Sequence, residues 1–337
     1  MIRYFIKRVF YMLVIMVIVS TLTFFISYSL PGDPVSLWVG DHPTKEQLAV
    51  AKKNLGFDKP INEQYVSFIS SALTLDLGVS LRTRQPVLAE ISQRLSATFE
   101  LVFISMFIAL LLGFIMGLFS AIRSDTVYDK VARGIGYIGL SFPMFWLGMI
   151  LQLVFFGVLK WFPLQGRHSG FDVLDINYTG LFLLDSLFSG QISLFFDGLA
   201  HIFLPALTMA FGVFGLIFRT TRSAALEVIE EPFFKTYLAY GLEPQRVIQY
   251  SAYKNTLIPV TTVSGLSFGL MLGGTFLVES IFDWPGLGQF SVLSILTNDF
   301  PAIMGVTLFY TTTYIFINLL IDILYSLIDS RIWSGNG

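Results

Sequence analysis

The 337-residue chain is 54% hydrophobic and 13% charged, against about 25% charged residues in a soluble domain, so its composition is that of a protein dissolved in a bilayer. A net charge of −2 argues neither for a nucleic-acid partner nor for a polybasic lipid-binding surface. There is no cysteine, which excludes disulfides, thiolate metal sites and cysteine nucleophiles.

Apolar windows of roughly twenty residues predict six membrane spans, at residues 9–30, 98–121, 135–159, 199–219, 257–280 and 303–327. Arg3, Lys7 and Arg8 precede the first, as in a signal peptide. Its apolar run is longer than a usual h-region, however, and it ends at Leu30-Pro31-Gly32-Asp33-Pro34 without a small-x-small cleavage site. It reads as a retained helix. The chain therefore divides into an N-terminus with its first span (1–30), a loop domain (31–97) and a core of five spans (98–337). Within the loop domain, Thr44 opens a predicted helix near 44–55, and a second follows near 60–73.

Basic residues orient the spans. Arg123, Lys130 and Arg133 lie between spans two and three, and Arg219, Arg222, Lys235, Arg246 and Lys254 lie around the 220–256 loop, whereas the 281–302 loop has neither Lys nor Arg. By the positive-inside rule both termini, the 122–134 loop and the 220–256 loop are cytoplasmic. The 31–97 domain and the 160–198 loop are then extracytoplasmic.

The 220–256 loop predicts two short helices held outside the membrane. Pro232 and Pro244 each stand where a helix can start, because proline there gives up only a donor that had no partner. Gly241 stands where the first helix ends, supplying a left-handed cap residue. Phe233, Tyr237 and Tyr240 recur at helical spacing and form one aromatic stripe. Such a stripe suits docking into a partner's groove, or else packing onto the membrane helices or the lipid interface.

Other motifs have plainer readings. Gly134-Ile135-Gly136-Tyr137-Ile138-Gly139 matches a dinucleotide fingerprint, but it opens a membrane helix instead of following a strand. Close helix packing explains it better. Gly113 and Gly117, and the series Gly265, Gly269 and Gly273, repeat every four residues and predict faces where backbones approach. Gly269 and Gly274 have P-loop spacing, yet Thr275 stands in place of the phosphate-binding lysine. His42, His168 and His201 are scattered with no carboxylate at ligand spacing, and no serine nucleophile elbow is present. No catalytic, cofactor or metal residue is nominated. Glu100, Glu279 and Asp322 lie near span ends, where anchoring or inter-helix hydrogen bonding is the default for an intramembrane carboxylate.

Several segments, in shared order, resemble the membrane-spanning permeases of binding-protein-dependent ABC importers, in the dipeptide/oligopeptide (peptide/nickel) branch. They are Leu30-Pro31-Gly32-Asp33-Pro34; Leu55-Gly56-Phe57-Asp58-Lys59-Pro60 with Gln64-Tyr65; Asp76-Leu77-Gly78-Val79-Ser80; Ser141 to Gly148; His201 to Thr208; and Glu279 to Gly288. The 220–256 loop resembles the family's coupling motif, centred on Gly241. It departs from the general form at Lys235-Thr236-Tyr237, where Glu-Ala-Ala is usual, and its proline arrives late, at Pro259. The resemblance implies an all-α, six-span fold of the type I importer kind, with an extracytoplasmic domain after the first helix. It implies half of a pore in the cell (inner) membrane, paired with a second homologous permease, two ATPase subunits that use ATP and Mg, and an extracytoplasmic solute-binding protein. No cofactor is bound by this chain itself. The coupling residues it implies are Glu231, Pro232, Phe233, Tyr237, Tyr240, Gly241, Glu243 and Arg246. Peptides are the expected cargo, with nickel or metal chelates and oligosaccharides as alternatives within the branch. A self-contained secondary transporter or channel is the rival class; it calls for an internal repeat or midplane charges, and neither is evident.

Overall fold

The computed structural model describes residues 2–29, 34–40, 44–170, 178–242, 247 and 253–328. In chain order the helices are α1 (Ile2–Ser29), α2 (Pro34–Val39), α3 (Lys45–Leu55), α4 (Ile61–Leu73), α5 (Val87–Ile122), α6 (Val127–Ser141), α7 (Met144–Leu151) running into a π-helical stretch (Gln152–Val158), α8 (Phe182–Phe188), α9 (Ile192–Glu230), α10 (Pro232–Ala239), α11 (Tyr253–Ile281), α12 (Leu287–Leu296) and α13 (Phe300–Ile328). Among the described residues the remaining regular pairing is one isolated bridge, Val79 with Pro86.

Among the described residues five helices are long and apolar enough to cross a membrane: α1, α5, α9, α11 and α13. The sixth span is broken. Residues 135–159 read as one helix in the sequence, but α6 and α7 meet at a 109° bend. Pro143 is the cause. Its ring excludes the helical conformation from the residue before it, and Phe142 accordingly sits at φ −92°, ψ 135°.

The chain forms two compact units, residues 1–98 with 285–316 and residues 99–284 with 317–337. In the first, Thr44 opens α3 through a capping box: its hydroxyl accepts from Gln47 N at 3.2 Å, and the Gln47 side chain accepts from Thr44 N at 2.9 Å. Phe24 of α1 is 1% exposed, with Tyr65 of α4 at 5.2 Å and Phe300 of α13 at 5.5 Å, both edge-on. Val87, Ile91, Leu287, Phe290, Ala302 and Val306 form its core. Buried Asp299 ties the 80–82 turn to α13, accepting from Ser80 Oγ (2.5 Å), Leu81 N (3.0 Å), Arg82 N (3.2 Å) and Ala302 N (3.4 Å). The described residues of the loop domain, 34–40 and 44–97, thus fall in one compact unit with α1 and residues 285–316.

In the second unit α9 is the central helix: 72% of its apolar window is buried, against 17% for α1 in the first unit. Glycines let its neighbours close on it. A Cβ at Gly113 or Gly117 of α5 would lie within 2.8 Å of Ile217 or of Phe218 O, and one at Gly136 or Gly139 of α6 within 2.7–2.8 Å of Phe218 or Phe211 O. Two of the three fingerprint-like glycines of α6, Gly136 and Gly139, are therefore packing glycines, whereas Gly134 is exposed and a Cβ there would meet nothing within 4 Å. On α11 Gly269 is buried and Gly265 half-buried. Gly273 departs from the expected close-contact face: it is exposed, and a Cβ there would meet nothing within 4 Å.

Candidate coupling site

Helix α9 is longer than its apolar segment requires. It continues past Arg219 to Glu230, so the first residues of the expected 220–256 loop are a helical stalk. Glu231, extended at φ −62°, ψ 144°, turns the chain, and Pro232 begins α10. The helix ends as its sequence suggests: Gly241 takes φ +81°, and Leu242 N donates to Tyr237 O at 3.3 Å, the closure that a left-handed glycine permits.

Helix α10 has two faces. Phe233, Tyr237 and Tyr240 are 37%, 43% and 80% exposed, and the first two rings meet edge-on at 6.3 Å. Phe234, which the aromatic stripe left out, is 3% exposed and packs with Val228 and Val247 against Leu118, Ile122 and Ile229. It is the anchor of α10. Its signal was faint, because an adjacent aromatic at 233 obscures which of the two turns inward. The predicted second helix, with Pro244, Glu243 and Arg246, falls largely outside the described residues, Val247 excepted.

Eight residues before the stalk ends lies an ion pair that the sequence analysis missed. Asp129 of α6 is fully buried. Its carboxylate accepts from Arg222 Nε at 2.8 Å and Nη2 at 3.0 Å, from Ser120 Oγ of α5 at 2.5 Å and from Asp125 N at 3.1 Å. Arg133 Nη2 stands 3.4 Å away. Arg222, which the sequence shows only as one of the basic residues around the 220–256 loop, is a bidentate partner, the strong form of a carboxylate–guanidinium contact. No motif spacing links residues 93 positions apart.

Glu100 takes the role expected of it, inter-helix hydrogen bonding. Its Oε2 accepts from Arg167 Nη2 (2.5 Å) and Nε (3.1 Å), and its Oε1 accepts from Leu183 N (2.7 Å). Arg167 also lies over Phe182 and Trp284, 5.6 and 5.9 Å from the ring centres. Glu279 is buried. The surroundings of Asp322 and His42 lie outside the described side chains. His168 stacks on Phe182 at 5.1 Å, and His201 Nδ1 is 2.8 Å from Asp197 O; both are packed side chains.

Among the described residues, five apolar spans, a sixth broken by a bend, and a short helix carried on the stalk of α9 define the class. The chain belongs to the binding-protein-dependent transport system inner membrane component family: that family's pattern matches residues 109–334, and its N-terminal companion matches residues 1–102. The probable D,D-dipeptide transport system permease protein DdpB of Escherichia coli is 38% identical over 95% of this chain and 94% of its own length. The dipeptide transport system permease protein DppB of Alkalihalophilus pseudofirmus is 36% identical over 98% and 99%. The glutathione transport system permease protein GsiC of Pectobacterium atrosepticum is 34% identical, again over 98% and 99%. A chain from inward-facing MetNI, a methionine ABC transporter, shares the fold with a TM-score of 0.53, at 14% identity over 71% of this chain and 96% of that one. This protein is a multi-pass ABC-importer permease with the type I importer fold.

Proposed function

We propose that the chain forms half of the translocation pathway of an ATP-driven importer for di- and oligopeptides. It works with a second homologous permease, two cytoplasmic subunits that hydrolyse ATP with Mg, and an extracytoplasmic solute-binding protein. The chain itself contributes no ATPase site and binds no cofactor. The distribution of Lys and Arg supports cytoplasmic termini and a cytoplasmic α10. The relatives' names specify dipeptides, D,D-dipeptides and glutathione, all short peptides, which favours peptide cargo over metal chelates or oligosaccharides.

The observation that carries the reading is the division of α10. One side is locked into the stalk by Phe234, while Phe233, Tyr237 and Tyr240 face outward. An aromatic face presented in this way suits the groove of a separate motor, a partner that a pore or secondary transporter working alone lacks. Movement of the motor on binding ATP then biases the permease between two states, as an effector biases any bistable element.

Combining Phe233→Ala with Tyr237→Ala is expected to leave the chain inserted and the receptor's peptide affinity unchanged. Receptor-stimulated ATP hydrolysis by the reconstituted complex should fall by at least about tenfold, since buried aromatic anchors contribute roughly 2 kcal/mol or more each and about 1.4 kcal/mol is already tenfold. Full stimulation in the double variant would place the docking contact elsewhere.

A further inference from the structure

We propose that Asp129 is a positioning residue for energy coupling: paired with Arg222, it locks the stalk of α10 to α5 and α6, so that a displacement of α10 moves three membrane helices together. The inference rests on the importer reading above.

Asp129 joins three elements at one point. Oδ1 receives Ser120 Oγ of α5 and Arg222 Nε of α9, while Oδ2 receives Arg222 Nη2 and the Asp125 backbone. The Arg222 Nε also lies 3.2 Å from Ser120 Oγ, which closes the triangle. Both oxygens are thus engaged by a charge-assisted fork and by neutral donors, the condition under which a buried carboxylate is tolerated. Removing Arg222 leaves the fully buried Asp129 carboxylate without its fork, with Arg133 at 3.4 Å as the nearby cation, whereas Arg222 is 19% exposed and keeps access to water.

The clamp lies between two further constraints. Toward the membrane, the glycines of α5 and α6 bring α9 into contact on two sides, so α9 cannot slide without separating backbones that touch. At Gly215 of α9, an added Cβ would collide with Gly136 O and Leu140 of α6. On the other side, Arg222 to Glu230 is an unbroken helical stretch of about 12 Å with neither proline nor glycine to kink it. Phe234 then joins α10 to a cluster with Val228 of the stalk and Val247, against which Leu118 and Ile122 of α5 pack. Helix α10 is therefore anchored to the same block at two levels. The first discontinuity in that block is the 109° break between α6 and α7.

The test uses the complete reconstituted transporter, with peptide-loaded receptor and labelled dialanine as the probe. The measured quantity is peptide delivered per ATP hydrolysed. Asp129→Asn keeps the side chain's shape and removes its charge; Arg222→Lys keeps the charge and removes the fork. With the clamp slack, ATP hydrolysis continues while delivery per ATP falls about fivefold or more, the low end of the range that coupling free energies span. Arg222→Lys should fall in the same direction by less. A purely structural role would reduce the yield of assembled complex and leave the ratio at the parent's value. That result in both variants overturns the proposal. If Asp129→Asn fails to assemble, the ratio for Arg222→Lys decides alone. A parent complex whose ATPase ignores the loaded receptor would instead overturn the importer reading beneath the proposal.

Discussion

A Gly215→Ala variant is expected to lose most of its correctly assembled protein. The added Cβ would be driven into the Gly136 carbonyl oxygen and would sit 2.7 Å from Leu140 Cγ. The Leu140 side chain can turn aside, but a helix backbone cannot, so α6 must separate from α9 along the seam that Gly136 and Gly139 create. Overpacking of this kind costs about 1–3 kcal/mol even where side chains alone must move, and here the obstacle is main chain. Gly134→Ala is the matched control, on the same helix as the seam's other side, because a Cβ there meets nothing within 4 Å. Size-exclusion profiles and thermal unfolding in detergent separate the two. Equal behaviour of both variants would mean that α6 and α9 are not held at backbone contact.

The second large effect is expected at Asp299. In Asp299→Ala, Ser80 Oγ and the Leu81 and Arg82 amides lose their acceptor, and both Ser80 and Leu81 are buried. Each stranded buried donor costs about 1–3 kcal/mol, so the first unit should be weakened by roughly 2–6 kcal/mol. The damage should be local. Residues 80–86 are pinned at one end by Asp299 and at the other by the Val79–Pro86 bridge, and loss of the first pin should open Arg82 and Arg84 to trypsin. Asp299→Asn, which keeps one carbonyl acceptor, should be intermediate. A tryptic pattern in the alanine variant identical to the parent's would show that the carboxylate does not hold the turn.

The parts legible in the sequence are those governed by neighbours along the chain. Thr44, and Pro232 with Gly241, mark helix ends through interactions spanning a few residues; α3 begins, and α10 begins and ends, where those residues place them. The six spans were legible as apolar length. The break in the third was available in Pro143, yet a hydropathy window sums composition and does not register a change of direction. The buried pairs were not legible. Asp129 with Arg222, Glu100 with Arg167 and Asp299 with the 80–82 turn join residues 93, 67 and 217–219 positions apart. Helical periodicity carries no information over such distances. Helix α12, in a stretch that no apolar window covered, is a ten-residue apolar helix too short to register as a span. Phe234 was hidden for a different reason: the anchor and the docking face of α10 are built from the same residue type, so only burial distinguishes them.

The central claim is that the outward face of α10 meets an ATPase subunit, and a site-specific photo-crosslinker tests it most directly. A probe in place of Tyr240, which is 80% exposed, should give a covalent adduct with the ATPase subunit in the assembled transporter. The same probe in place of Tyr178, 66% exposed in the loop assigned to the opposite side of the membrane, should give none. An adduct from position 178, or none from position 240 in a complex that hydrolyses ATP on demand, would contradict the account.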